Sequence, residues 1–378
     1  MQMIDDSSLE QAFADARIPG AVAMIADRDG VRYVRAFGEA DAVNHVPMAE
    51  DTLFQIASMS KAITSVAAMQ LVEAGQLTLD GDIGAVLPDL ADPQVLEGFD
   101  ENGQPKLRPA KRPITLRHLL THTAGLGYFF IHPEVLGYFQ ATAMPEPGSL
   151  ASIKMPLMFD PGERWEYSVA TDWVGQAVEA VSGLKLGDYL AANVTGPLGM
   201  HATAFRPEMA DTMAGVHQRE GDGFKLNAAV LGGGEFQMGG GGLSSTAADY
   251  SRFVRMVLRG GELDGVRVLS EASIAEMSRN QIGDLRAGYM GSVMPEFAPP
   301  FDTFPDQHTG WGLGFLINPQ PGPNGRSPNS LAWAGIFNSY YWIDPAKNVA
   351  GVFMGQLQPF GDPGALACFG ALERMAYA

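Results

Sequence analysis

Ser58-Met59-Ser60-Lys61 sets a hydroxyl and an amine three residues apart at the head of an apolar stretch. On a helix that spacing puts both side chains on one face. A serine hydroxyl is a weak nucleophile near neutral pH until another group takes its proton, and a nearby lysine can do so. The chemistry would be acyl transfer through an acyl-serine. The same four residues also fit a serine capping a helix with a lysine on its solvated face. The stretch from Ser58 to Ala74 favours chemistry, because it is apolar around most of its circumference and reads as a buried helix. Desolvation disfavours a charged amine and makes a usable base. The helix N-terminus adds positive potential that suits a developing oxyanion.

Two further stretches carry groups suited to the same reaction. Trp165-Glu166-Tyr167-Ser168-Val169 follows Pro161-Gly162. A tyrosine relays or accepts a proton where cations stabilise its phenolate; otherwise it is a buried aromatic with a locally satisfied hydroxyl. Trp333-Ala334-Gly335-Ile336 stands just before a strand-like segment. Glycine there lets the backbone approach a bound acyl group, and the amides of Ser58 and Ile336 become candidate oxyanion donors. The plainer alternative is a turn into a core strand. Tyr128, Phe129, Phe130, Phe236, Met238, Phe337 and Tyr340 lie near these motifs and are candidate pocket residues with Val169, Trp333 and Gly335. Clustered aromatics also build cores, so each has that second reading.

Other chemistries find less support. No Gly-x-Ser-x-Gly turn is present, which argues against an α/β-hydrolase nucleophile. None of the seven histidines belongs to a His-Glu-x-x-His motif. His118 and His122 have a metal-compatible spacing, but no carboxylate accompanies them and Thr121 to Gly125 reads as a helix end. His122 is therefore expected to be structural and satisfied by backbone, with no metal and no cofactor.

These groups need a scaffold to bring them together. Ser8 to Ala16 reads as a short helix. Ala21 to Ala26 and Val31 to Phe37, separated by Asp29-Gly30, read as a hairpin. Gly75 suits a left-handed cap after the Ser58 helix. Leu116 to Leu120, Ala170 to Val181 and Leu186 to Asn193 look helical, whereas Pro93 to Pro113 is a polar surface excursion. Gly232 to Gly234 and Gly239 to Gly242 suggest either tight backbone approach at a cleft or a hinge. Ala247 to Arg259 is an amphipathic helix, and Met290 to Pro305 a proline-rich loop. Strands return at Gly312 to Ile317, Ser339 to Ile343 and Val349 to Met354, and a last helix spans Gly364 to Tyr377. The pattern predicts an α+β fold: an antiparallel sheet built from both chain ends (1–79 and 237–378), with a mainly helical insertion at 80–236.

The chain has 378 residues, 46% of them hydrophobic, enough for a large core. A net charge of −18 argues against nucleic acid or anionic membrane as partners. No apolar run reaches the roughly 18 residues of a membrane span. The first residues lack the features of a signal peptide, so a cytoplasmic protein is expected. Cys368 stands alone and reads as a small buried hydrophobe. Oligomeric state is not legible.

Four stretches occur in order: Phe54-Gln55-Ile56-Ala57-Ser58-Met59-Ser60-Lys61, Leu120-Thr121-His122-Thr123-Ala124-Gly125-Leu126, Tyr167-Ser168, and Gly241-Gly242-Leu243-Ser244-Ser245-Thr246. Together they resemble the serine β-lactamase and penicillin-binding-protein superfamily, and most of all the bacterial family VIII carboxylesterases, which are similar to class C β-lactamases. The resemblance covers about Gly20 to the C-terminus. It implies the β-lactamase-like fold, Ser58 as nucleophile, and Lys61 with Tyr167 as the proton-transfer pair; which of the two is the base in acylation stays open. Two departures bear on substrate. Val169 occupies the position of an amide-recognising asparagine, and Trp333-Ala334-Gly335 replaces a Lys-Thr-Gly whose cation would bind a carboxylate. The resemblance thus implies hydrolysis of short-chain or partly apolar carboxylic esters, a small-molecule substrate, and at most slow β-lactam turnover. The alternatives are an acyltransferase using the same acyl-enzyme, a D-amino peptidase, or a non-enzymatic binding module.

Overall fold

The run Gly20–Ala26 is buried along its whole length, as a strand covered on both faces must be. In the computed structural model, which describes residues 5–205, 212–221, 223–227 and 235–378, it is β1. The other strands of its sheet are β2 (Val31–Asp41), β3 (Val46–Pro47), β4 (Gly310–Trp311), β5 (Leu316–Asn318), β6 (Ser330–Gly335), β7 (Ser339–Asp344) and β8 (Val349–Gly355). Their order is β4-β5-β6-β7-β8-β1-β2-β3, antiparallel at every pairing. β1 pairs with β8 in the register Val22↔Met354, so the two ends of the chain meet mid-sheet.

Alternation decides what each face meets. Ala21, Ala23 and Ile25 point to one side, with Ala332, Tyr340 and Trp342, beneath α1 (Ser7–Ala16) and α9 (Pro363–Ala376). Cys368 of α9 is buried there, as expected. Val22 and Met24 point the other way, with Trp333 and Tyr341, into the larger core. That core holds α2 (Ser60–Glu73), α3 (Leu116–Leu120), α5 (Ala170–Ser182), α6 (Leu186–Leu190), α7 (Ala247–Leu258) and α8 (Glu271–Ser278), while α4 (Pro133–Ala141) buries Val135 and Phe139 outside it. α2 is buried without interruption from Ser60 to Met69, and Gly75 follows it at φ +69°. The α+β class and the sheet shared by both chain ends agree with the sequence expectation.

Several elements differ from that expectation. Residues 93–113 contain an antiparallel hairpin, Gln94–Phe99 with Pro105–Pro109. Its strands are largely exposed, so they lack the apolar alternation that marks a strand. Of the expected strand Gly312 to Ile317, Leu316 and Ile317 lie in β5, whereas Gly312 to Phe315 form the tight connection from β4, made possible by Gly314 at φ +98°. Leu186 to Asn193 divides into α6 and a π-helical turn at Ala191–Thr195. Trp333 to Gly335 form the end of β6 rather than a turn before a strand. Gly232 to Gly234 lie outside the described residues. Among the described residues, no helix is long and apolar enough to cross a membrane.

Candidate active site

The turn that carries Ser58 is held by backbone packing. Ser58 sits in a single 3₁₀ turn, Ala57–Met59, that runs directly into α2. Ala57 has φ 45°, a left-handed conformation that disfavours any residue with a Cβ. Gly335, at the end of β6, backs this turn: a Cβ built there would lie 2.5 Å from the carbonyl oxygen of Ile56. Only glycine allows strand and turn to approach so closely. Phe337 is 1% exposed and packs with Ala57 and Val216 behind the turn. It supports the backbone beside Ser58 and does not line the cavity, where the sequence reading places it.

Lys61 is 1% exposed and its amine is fully engaged. Nζ lies 3.1 Å from Ser58 Oγ, 3.0 Å from the Tyr128 hydroxyl and 2.7 Å from the carbonyl oxygen of Gly240. An ammonium donates to all three. A neutral amine donates to Gly240 and Tyr128 and turns its lone pair to the Ser58 hydroxyl, so the same geometry serves both protonation states. Asp172, buried at the start of α5, accepts from the amide of Gly240 at 2.9 Å and so fixes the carbonyl that holds Lys61. Burial pushes its carboxyl upward against the opposing pull of Lys61 and the Gly240 amide. A Cβ on Gly240 would be 2.9 Å from Asp172 Oδ2. Here the Gly239 to Gly242 cluster makes a close backbone approach.

Tyr167 stands over the same amine, with Nζ 4.7 Å from its ring centroid. Its hydroxyl accepts a hydrogen bond from Trp333 Nε1 at 3.1 Å. The tryptophan at the lysine position of the third motif thus orients the phenol. His122 packs against the Tyr167 ring at 5.0 Å between centroids, and its Nδ1 is 3.0 Å from Ser168 Oγ. Its partner is therefore this side chain, not the backbone expected from sequence. Burial, and then the charge of Lys61, hold His122 well below the usual imidazole range. His118 instead accepts from the amide of Thr115 in the capping box of α3.

Tyr128 was assigned to the substrate pocket, but its hydroxyl belongs to the lysine cluster. Burial raises its phenol well above the ordinary value, which keeps it protonated. Its backbone is placed by His132, which accepts from the Tyr128 amide at 3.0 Å and meets Glu166 through Nε2 at 3.0 Å. Nothing in the spacing of Tyr128, His132, Glu166 and Asp172 marks them; only the fold joins them. The one sequence cue was proximity of Glu166 and Asp172 to Tyr167.

A cavity of about 200 Å³ opens beside Ser58 and Tyr167. Trp333, Gly335, Ile336, Phe130 and Tyr340, all near the motifs in sequence, line it. Phe129, Phe236, Met238 and Val169 do not line it. Phe129 stacks edge-on against Phe130. Val169 is 5% exposed in the core before α5, Phe236 packs against the same core, and Met238 accepts the amides of Gly241 and Gly242. Sequence proximity to a motif misplaced these four because the chain turns away from the cleft. Residues 290–304 roof part of the cavity, a contribution with no signal in the sequence.

Comparison with known proteins gives consistent results. The beta-lactamase family model matches residues 6–367. A lovastatin esterase of Penicillium rubens is 32% identical, the alignment covering 92% of this chain and 91% of that protein. A monacolin J acid methylbutanoyltransferase of Aspergillus terreus is 31% identical over 95% of this chain and 91% of its own length. The unliganded structure of simvastatin synthase from Aspergillus terreus superposes with a TM-score of 0.85 at 30% identity, covering 99% of this chain and 97% of that one.

Proposed function

The chain belongs to the beta-lactamase family, and from that premise we propose that it is a serine carboxylesterase of the family VIII type, acting on short-chain or partly apolar esters. The observation that carries the reading is the 3.1 Å contact between Lys61 Nζ and Ser58 Oγ at the mouth of an aromatic-lined cavity. The ester carbonyl sits beside Ser58 with its oxygen toward the amides of Ser58 and Ile336. Ser58 Oγ attacks the carbonyl carbon while its proton passes to Lys61 or Tyr167. The tetrahedral intermediate collapses, the alcohol leaves with that proton, and water releases the acid by the reverse route. Apart from the ester and water, each step as written uses groups of this chain.

Trp333 supports the choice of an uncharged ester, since an indole offers one neutral donor where a lysine would offer a cation to a carboxylate. A second reading, acyl transfer to an alcohol or amine other than water, is favoured by the methylbutanoyltransferase relative and shares every step up to the acyl-enzyme. A cytoplasmic location belongs to the same proposal, supported by one buried free thiol, Cys368, that requires no oxidising compartment.

Product analysis tests the reading. A p-nitrophenyl ester incubated with excess alcohol should give mainly the free acid, and a cephalosporin should be turned over far more slowly. Predominant transesterification would move the protein to the transferase reading. Faster turnover of a D-Ala-D-Ala peptide than of the ester would refute the esterase.

A further inference from the structure

The cavity beside Ser58 does not stop at the reacting atoms. It continues along β6 on the face of the sheet beneath α9. Ala332 and Ala334, small residues on alternate positions of that strand, form its floor, and Phe301 and Phe304 of the covering loop stand across it. At the far end are Arg326 and Glu373, with side chains only 3% and 4% exposed. Arg326 Nε donates to Glu373 Oε1 at 2.7 Å, and Asn324 Nδ2 donates to Glu373 Oε2 at 3.1 Å. Both carboxylate oxygens are therefore engaged, whereas among the described residues the Arg326 side chain, stacked near Phe304 and Trp342, is hydrogen-bonded through Nε alone. A guanidinium has five N–H groups. The remaining ones belong to a buried cation in the wall of the cavity.

We propose that this cavity is an acyl channel, and that its far end takes an uncharged hydrogen-bond acceptor on the acyl chain. The proposal rests on Ser58 being the acyl acceptor. The leaving alcohol must collect its proton from Lys61 or Tyr167, so it occupies the α2 side, and the carbonyl's other substituent is turned along β6. The Arg326 guanidinium lies 5.8 Å from the Trp342 ring, and Trp342 is the register partner of Ala332. Ala332 is three residues from Gly335 on the strand, so the channel runs about 10 Å from the nucleophile turn, the reach of roughly eight extended carbons. Glu373 already balances the charge of Arg326. A second carboxylate would be buried without a cation of its own, whereas a ketone, ester or hydroxyl oxygen brings only an acceptor. The substrate class is thus esters of medium-chain acids bearing an oxygen near the chain end.

The test is kcat/KM for the p-nitrophenyl esters of butanoate, octanoate, 7-oxooctanoate and hydrogen suberate. Octanoate should exceed butanoate. The oxo ester should exceed octanoate by about tenfold, as a hydrogen bond to a charged group allows, and the carboxylate-ended ester should fall below octanoate. Arg326→Leu combined with Glu373→Leu removes both charges together and should erase the gain of the oxo ester. Ala332→Leu fills the channel and should lower the octanoate-to-butanoate ratio at least tenfold, a readout available even if the double variant does not fold. A fall from butanoate to octanoate in the wild type overturns the channel, as does an oxo gain that survives in the double variant or appears instead on the alcohol side of acetate esters. Butanoate turnover that depends on Ser58 leaves the hydrolase standing in those cases. No ester turnover at all overturns the hydrolase itself.

Discussion

At the scale of single residues, the site is a lysine amine shared among a serine, a tyrosine and a backbone carbonyl. Removing that amine takes away one of the two groups we propose as proton acceptor for Ser58. Lys61→Ala should lower kcat for a p-nitrophenyl ester by a factor on the order of 10²–10⁴, the usual worth of a positioned acid or base. Tyr167→Phe should also impair acylation strongly, with an unchanged circular dichroism spectrum; full activity in that variant would remove the phenol from the mechanism. Trp333→Phe keeps an aromatic ring, though a smaller one, and loses the donor to the Tyr167 hydroxyl. A single neutral hydrogen bond is worth about 0.5–1.5 kcal/mol, so kcat/KM should drop roughly two- to thirteenfold, a modest loss that separates orientation from proton transfer. The Ser58–Lys61 pair was legible because both residues lie within one turn. Tyr128 and Asp172 were not, because their contacts to the lysine cluster are made across the chain by packing that leaves no periodic trace.

Elements set how firmly Ser58 is held. β6 approaches the Ala57–Met59 turn through Gly335, with no room for a methyl group against the Ile56 carbonyl. Gly335→Ala must move either the strand or the turn. Overpacking of this kind costs about 1–3 kcal/mol, so denaturant titration should show a loss of that size, accompanied by a large fall in kcat as Ser58 shifts. An alanine variant with wild-type kcat would show that the turn does not depend on this contact. The central strands and α2 were readable from their apolar runs, since burial on all sides leaves a continuous signature. The hairpin at 94–109 and the tight turn between β4 and β5 were not, because exposed strands carry polar residues and a two-residue strand has no measurable period. Pocket residues fared worst. Sequence proximity to a motif selected Phe236, Met238 and Phe337, whereas the cavity recruits the 290–304 loop and α9 from far along the chain.

At the scale of the whole molecule, we propose a division into a terminal unit, 1–79 with 237–378, and an inserted unit, 80–236. All strands of the large sheet fall in the first, and α3 to α6 fall in the second. Ser58 and Lys61, Tyr167, and Trp333 then come from three separated stretches, so function depends on the assembled chain. Stability should depend on pH through the buried imidazoles. Burial holds His118, His122 and His217 below their ordinary value. The unfolded chain therefore binds more protons as pH falls below about 6.5, and folding stability present above that value declines as pH falls below it. Tm measured by calorimetry should fall across that window; a flat Tm would contradict the depressed imidazoles. The most direct test of the central claim is mass spectrometry of the intact protein quenched during turnover of a p-nitrophenyl ester. The account predicts a mass increase of one acyl group, mapped by peptide digestion to Ser58 and missing in Ser58→Ala; ester hydrolysis that persists in Ser58→Ala, or an acyl group on another residue, would contradict it.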